Sequence, residues 1–596
     1  VNSDHRHLEI PPLTFQRFCL VLYRYFPFLW PYKAQLILLF ILLPTAGSLL
    51  VVVLPFCSQL LLDVAFPLKD LTVLFLLTFL GVGAILAERT LVVFIRGVVS
   101  SHLRIRFLGS VGSRLYHSIL RFSMRYHHNT PIGEKIYRCD TDLIDTAEMF
   151  GFHLPMMIQY ALQFLVTVTT MCFINWRPVA LAGLCAPLFF IIAQVIFNAY
   201  RNVDLKRRNH GQRLTTRLEE SLSGIDVVYS HGCRKRESIS YRRVLSGYTF
   251  LNMFYGFLNE VVVVLVWPTG MPAILADFIV SIYSGILVIR GDMSIGEWSA
   301  IKLLIVQAII PLGILISYYQ SLRLRMVPAE RILQLLDLQE KIETPTDAIR
   351  LQPLKGKIEF RDVHFQYTPD KPVLQGISFS IEPGEKVAFV GPSGIGKTTI
   401  INLILRFYDP DQGEILIDGI DLKKVDLQTF RRQTGLVLQE PFLFSRSIYD
   451  NICYGLHQPS TKAFVHATHV ARVDEIIRSI PEGFNARIGK DTELALGQRQ
   501  QITVARCLAH EPHLILLDEP TSLLDPQSRQ VLLETLNEVT RDRTSVIISH
   551  DLRSVRDADC IHVLNQGVIV ESGKHDELVQ KGGLYASYWT LQEVSS

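Results

Sequence analysis

Six apolar stretches recur in the first half of the chain and then stop: near Ala34–Leu60, Leu71–Val99, Gly151–Phe173, Val179–Phe197, Phe257–Ile289 and Ser299–Tyr319. A bilayer core takes about 20 apolar residues in a helix, and within lipid only helices or closed barrels satisfy every backbone group. Buried helices of a water-soluble protein rarely run so long without charge. Mean hydropathy is +0.26, and only 19% of residues are charged. At 596 residues the chain exceeds one hydrophobic core, so a second domain is expected. After Asp337 the long apolar runs end and strands alternate with helices. The expected fold is a six-span α-helical membrane bundle over 1–337, with an N-terminal elbow segment over about 12–32. A polar linker over 338–356, bearing Pro345 and Pro353, follows, and then an α/β domain over 357–596.

The connections fix an orientation. Loops one, three and five are short and carry only Lys69, Arg177 and Arg290 as basic residues. Loops two and four run about fifty residues each and are rich in base, from Arg104 to Arg138 and from Arg201 to Arg243. Positive charge stays inside, which puts the long loops, both termini and the α/β domain in the cytosol of a multi-pass protein of the cytoplasmic membrane. A net charge of +3 is too small for a nucleic-acid binder. Nine cysteines without a CxxC pair read as reduced thiols, neither a disulfide frame nor a zinc site.

The strongest chemical motif is Gly391-Pro392-Ser393-Gly394-Ile395-Gly396-Lys397-Thr398-Thr399, a full Walker A sequence. It follows an apolar strand, Lys386–Val390, and opens a helix, the context such a loop requires. Its glycines let backbone N–H groups converge on phosphate oxygens. Lys397 supplies charge at the β- and γ-phosphates, and Thr398 offers its hydroxyl to Mg²⁺. Downstream, Leu514-Ile515-Leu516-Leu517-Asp518-Glu519 is an apolar strand ending in two carboxylates. Asp518 is placed to hold Mg²⁺ and Glu519 to act as general base on water. Alone, an Asp-Glu pair after a strand is more often a helix cap; after a Walker A loop it is specific.

Further residues carry a family resemblance. Leu494-Ala495-Leu496-Gly497-Gln498-Arg499-Gln500-Gln501 resembles the signature of ABC ATPases, and Gln439 in Leu438-Gln439-Glu440-Pro441 their Q-loop. Ser522-Leu523-Leu524-Asp525 resembles their D-loop, His550 in Ser549-His550-Asp551 their switch histidine, and Tyr367 in Phe365-Gln366-Tyr367 the aromatic that stacks on adenine. The resemblance covers Ile358–Leu591. It implies an ATP hydrolase coupled to transport, with Glu519, His550 and Lys397 catalytic. It implies nucleotide contacts from Tyr367, Gly391, Ser393, Gly394, Ile395, Gly396, Lys397, Thr398, Thr399, Gln439, Ala495, Gly497, Gln498 and Asp518. Thr398, Gln439 and Asp518 are the implied Mg²⁺ site.

The first half resembles the exporter-type ABC membrane domain. Phe122–Glu134 and Glu219–Val228 look like its two intracellular loops, and Pro328-Ala329-Glu330-Arg331-Ile332 its exit from the sixth helix. In that fold, coupling helices rest on the ATPase domain, expected here near Thr141–Asp145 and Ser223–Val227. The chain is therefore expected to act as a half-transporter with a second subunit.

One departure matters. The family's usual signature reads Leu-Ser-Gly-Gly-Gln; here Ala495 replaces the serine and Leu496 the first glycine. Lys397, Asp518, Glu519 and His550 are intact. This combination resembles one subunit of an asymmetric heterodimeric exporter, the favoured reading; a homodimer tolerating a variant signature is the alternative.

Within the spans, Asp277 stands midway along the fifth and is the candidate for substrate contact, because intramembrane charge is costly without a partner or wet cavity. Glu88, Arg89 and Arg96 lie along the second, and Pro268 and Pro272 are expected to kink the fifth. The function this implies is ATP-driven export or flipping of an amphipathic or hydrophobic compound (peptide, lipid or drug-like) by alternating access. An ATP-gated membrane sensor, or an importer built on the exporter fold, are the alternatives. Nothing in the residues identifies the cargo.

Overall fold

A computed structural model of the protein describes residues 15–265, 271–338, 345, 347–351, 353–369, 371–522 and 524–594. Pro268, Leu523, the start of the elbow segment and part of the 338–356 linker lie outside the described residues. The chain divides into two compact units. One comprises Val1–Leu120 and Ile132–Leu338, the other Arg121–Pro131 and Gln339–Ser596.

The first unit is entirely helical among the described residues. Among the described residues, four helical runs are long and apolar enough to cross a bilayer: Gln16–Leu68, Leu71–Leu120, Ile132–Ile174 and Ile295–Asp337. Further helices cover Trp176–Ser223, Arg234–Leu265 and Met271–Ile289. The short connections are written as helix caps, which satisfy otherwise orphaned N–H groups. Asp70 accepts from Thr72 N at 2.8 Å, and Asn175 accepts from Arg177 N at 3.1 Å. Ser294 and Glu297 form a reciprocal capping box at Ile295. The amphipathic helix Phe15–Leu29 is pinned by its polar side. Tyr25 is buried and donates to the Ala329 carbonyl at 2.9 Å, Arg17 pairs with Glu330 at 2.6 Å, and Arg24 pairs with Asp337.

Thr141–Asp145, where the sequence pattern placed a coupling helix, instead lies inside the helical run Ile132–Ile174 of the first unit. Asp142 is buried there, 3.9 Å from Arg331. The loop helix that clusters with the second unit is Met124–Asn129, capped by Ser123 accepting from Tyr126 N at 3.3 Å. Its Met124 packs on that unit's core, and His128 Nδ1 meets Tyr408 Oη at 2.8 Å. The contact that distinguishes the two segments joins residues 280 positions apart.

The second unit holds two sheets. Strands β1 (Ile358–Gln366), β2 (Pro372–Ile381), β4 (Gln412–Ile417) and β5 (Ile420–Asp421) form an antiparallel sheet in the order β2-β1-β4-β5. Strands β3 (Lys386–Val390), β6 (Thr434–Val437), β7 (Leu514–Asp518), β8 (Thr544–Ile548), β9 (Cys560–Asn565) and β10 (Val568–Gly573) form the second, ordered β10-β9-β3-β8-β7-β6. All pairings in it are parallel except β9–β10. Both its faces are buried, as a parallel sheet requires. Ala388, Val390, Ile515, Leu517 and Ile547 enter one core with the helix Leu496–Ala509. Their neighbours Val387, Phe389, Leu514, Leu516, Val546 and Ile548 enter the other, shared with the antiparallel sheet and the helix Lys397–Ile404. The strand period of two sends alternate residues to opposite cores. The ends of β3, β7 and β8 are thereby held rigidly side by side.

Candidate nucleotide site

The glycine loop leaves β3 at its C-terminal end, where ligands collect in open parallel sheets. Gly391, Gly394 and Gly396 have φ of 147°, 80° and 106°, which residues with a Cβ rarely adopt. At Gly391 there is also no room, because a Cβ would sit 2.5 Å from the Leu564 carbonyl oxygen. Ile395 anchors the loop by packing on the core below it, while Ser393 and Gly394 are exposed. Lys397 is 4% exposed, and its Nζ donates to the carbonyls of Gly391 and Pro392, both at 2.9 Å. The loop thus curls around its own lysine.

Beside it, Thr398 Oγ1 donates to Asp518 Oδ1 at 3.1 Å. Asp518 is 6% exposed at the tip of β7, and burial pushes its carboxyl above the usual range. Burial likewise lowers the Lys397 ammonium, against the pull of Glu519 and Asp518. Both shifts are desolvation effects in a water-poor pocket wall.

Glu519 follows in the left-handed region at φ 45°, a conformation costing a non-glycine residue about 1–3 kcal/mol. Its own N–H, donating to the Ile548 carbonyl at 2.9 Å, holds it there. The turn aims the carboxylate off the strand. Oε2 meets His550 Nδ1 at 3.0 Å and Gln439 Nε2 at 3.3 Å, and Oε1 stands 3.9 Å from Lys397 Nζ. Gln439 also donates to Ser522 Oγ at 3.1 Å. The structure therefore brings Lys397, Thr398, Asp518, Glu519, Gln439 and His550 to one place from four separate segments. Gln439, expected beside Thr398 and Asp518, instead directs its amide to Glu519 and Ser522.

Tyr367 stands beside the loop's helix. Its Oη lies 3.1 Å from Thr399 Oγ1 and accepts from Asn402 Nδ2 at 3.1 Å, and its ring meets Tyr408 edge-on at 5.1 Å. Through Tyr408 this group reaches His128 of the loop helix. Sequence reasoning gave no role to Asn402 or Tyr408, and named Ser522 and Gln500 only within the D-loop and signature resemblances. Gln500 is buried and donates to the Leu438 carbonyl at 3.0 Å, tying the signature helix to the segment of Gln439.

Ala495 occupies the N-cap of the helix Leu496–Ala509 and offers no side-chain acceptor. Only half of the usual reciprocal cap remains, Ala495 N donating to Gln498 Oε1 at 3.0 Å. Gly497 faces Ser528, whose Oγ would lie 2.9 Å from an added Cβ. Restoring a hydroxyl by Ala495→Ser is expected to stabilise the domain by about 1 kcal/mol, read as a rise in its thermal unfolding midpoint. An unchanged midpoint would mean the first-turn N–H groups are already satisfied.

Asp277 is half-buried in the helix Met271–Ile289, with Ser281 Oγ at 3.5 Å from its Oδ1 one turn on. It is not joined to the residues above.

Comparison with known proteins accounts for both units. The profile described as ABC transporter transmembrane region matches residues 37–312, and that described as ABC transporter matches 374–522. A fatty acid ABC transporter ATP-binding/permease protein of Mycobacterium tuberculosis is 33% identical over 78% of this chain and 73% of its own length. An ATP-dependent lipid A-core flippase of Syntrophus aciditrophicus is 30% identical over 84% of this chain and 82% of its own. Among solved structures, a bacterial Atm1-family ABC exporter with ATP bound aligns with TM-score 0.77 at 25% identity, over 94% of this chain and 98% of that one. With a membrane region and an ABC ATPase domain fused in one chain, the protein belongs to the ABC transporter family, as an exporter-type half-transporter that couples ATP hydrolysis to transport.

Proposed function

We propose that ATP hydrolysis at the Lys397–Glu519 site drives an amphipathic or hydrophobic compound outward, or from one leaflet to the other, across the cytoplasmic membrane. Glu519 carries the reading: a carboxylate turned off a strand tip, held by His550 and Gln439, close to the lysine of a phosphate-binding loop. The loop's N–H groups and Lys397 cradle the triphosphate of ATP, and Tyr367 lies beside its adenine. Glu519 accepts the proton of the water that attacks the γ-phosphorus, and His550 and Gln439 fix the angle of that carboxylate. Thr398 and Asp518 form a hard-oxygen pair of the kind Mg²⁺ takes up while keeping waters and phosphate oxygens as its other ligands. When bound there, Mg²⁺ neutralises charge on the β- and γ-phosphates. Relatives that carry fatty acids and lipid A-core support an amphipathic cargo.

The six spans, the domain limits 1–337 and 357–596, and a cytosolic ATPase domain with both termini inside belong to the same proposal. Asp277 remains its candidate cargo contact in the fifth span. A second half-transporter completes the site. Its intact signature covers ATP on this chain's Walker A, and this chain's Ala495, Gly497 and Gln498 face ATP on the partner. The missing hydroxyl removes a hydrogen bond to a charged acceptor, of order 1.5–3 kcal/mol, so the second site is weakly hydrolytic and the pair is a heterodimer. ATP shifts the transport equilibrium because it binds the closed pair preferentially.

The test is phosphate release by this chain, purified alone in lipid nanodiscs, with and without Mg²⁺. The account expects Mg²⁺-dependent turnover that is low alone and rises by about tenfold with Ala495→Ser. Vigorous turnover from the unaltered homodimer would overturn the heterodimer. Absence of nucleotide binding would overturn the whole reading.

A further inference from the structure

Arg96 is 8% exposed inside the helix bundle, and among the described residues it has no hydrogen bond or ion pair. Four other arginines along the bundle are paired. Arg89 stands 3.6 Å from Glu88, Arg104 3.9 Å from Glu148, Arg325 2.8 Å from Glu148 and Arg331 3.9 Å from Asp142. Glu88, Glu148 and Asp142 are thus engaged by other guanidiniums. A buried cation without a counter-charge is unfavourable, so this guanidinium is suited to an anionic ligand.

The surroundings say what kind of ligand. One turn beyond Arg96, Ser100 Oγ donates to the Gly151 carbonyl, and Gly151 allows that close approach; an added Cβ would lie 3.3 Å from Ser100 O. This sets Arg96 against the start of the helix Leu154–Ile174. Tyr318, from the helix Ile295–Asp337, packs on this same start of the helix Leu154–Ile174. Its ring stacks on Tyr160 with centroids 6.0 Å apart and meets His153 at 5.7 Å. Tyr160 and Tyr318 are both half-exposed. Beside this guanidinium, unpaired among the described residues, there is therefore a half-exposed aromatic wall. Arg96 lies 25 residues past Leu71, roughly 37 Å along the helix at 1.5 Å per residue. For a helix that enters the hydrocarbon at Leu71, that distance exceeds the ~30 Å layer and puts the charge at headgroup level.

We propose that Arg96 binds the anionic headgroup of the cargo, a carboxylate or phosphate monoester, while Tyr160 and Tyr318 receive the start of its apolar tail. The cargo is then an amphipathic acid, a narrower class than the function proposed above. The inference rests on that function for its meaning but has its own readout.

The experiment measures equilibrium binding of four probes to the full-length transporter in nanodiscs: oleate, oleoyl lysophosphatidate, oleyl alcohol and inorganic phosphate. Wild type is expected to bind at least one acyl anion tenfold or more tighter than the alcohol. Whichever anion binds tighter separates a carboxylate from a lipid phosphate, and tight binding of inorganic phosphate would mean a free-anion site and overturn the amphipathic part. Arg96→Gln is expected to bind acid and alcohol alike, and Arg96→Lys to keep most of the preference; retained alcohol binding reports an intact cavity. Equal binding of acid and alcohol by wild type overturns the proposal without any variant, as does a preference that survives Arg96→Gln. ATP turnover in the same nanodiscs is scored separately, so loss of the transport reading is not confused with loss of this one.

Discussion

Glu519→Gln is expected to lower ATP turnover by roughly a thousandfold, within the 10²–10⁴ that a positioned general base contributes, while leaving ATP binding intact. Glutamine is nearly isosteric and keeps an oxygen for His550, which lies 3.0 Å from Oε2, so the constellation survives. It cannot take the proton from water. Lys397 also loses an anionic neighbour at 3.9 Å, which leaves more of its charge for phosphate. The variant should therefore retain ATP after desalting when wild type has converted it to ADP. Phosphate release and the nucleotide recovered from the washed protein check both halves. Turnover within a few-fold of wild type would show that another group activates water.

The second large effect concerns the glycine loop. Gly391→Ala combines φ of 147° with a Cβ 2.5 Å from the Leu564 carbonyl oxygen, a backbone atom that cannot swing aside. Displacing the loop moves the Gly391 carbonyl, to which Lys397 Nζ donates at 2.9 Å. Strain of about 3 kcal/mol corresponds to a loss of ATP affinity of about a hundredfold. Gly394→Ala is the matched control. Its φ of 80° is also left-handed, but nothing lies within 4 Å of an added Cβ, so the expected loss is about tenfold or less. Titration with a fluorescent ATP analogue separates the two, and equal affinities would mean that the loop adjusts freely at Gly391.

Local pattern and long-range contact divided what the residues alone could tell. The parallel sheet was legible because strands buried on both faces are near-continuous runs of apolar residues, as in Leu514–Leu517, and because Asp518 and Glu519 end such a run. The glycine loop was legible because its backbone needs glycine at fixed positions. The loop helix was not: nothing local to Met124–Asn129 or Thr141–Asp145 says which packs on the α/β domain, whereas the packing of Met124 and the meeting of His128 with Tyr408 do. The Gln439 amide is a similar case. Its motif names the residue, but its direction toward Glu519 and Ser522 follows from how β6 and β7 pair. Among membrane charges, Asp277 drew attention by its central place in the sequence, whereas Arg96 became conspicuous only once Glu88, Glu148 and Asp142 were seen to be paired with other arginines. Partner lists of this kind carry no periodicity for a sequence to show.

Transport itself is the most direct measurement of the central claim. The full-length transporter, in liposomes with its ATPase domain outward, is given Mg²⁺-ATP and a fluorescently labelled amphiphile whose leaflet is read by dithionite quenching. The account predicts movement into the far leaflet or lumen that needs ATP and disappears in Glu519→Gln. Steady ATP hydrolysis with no movement of labelled fatty acid, lysophospholipid or phospholipid, or movement that persists in Glu519→Gln, would contradict it.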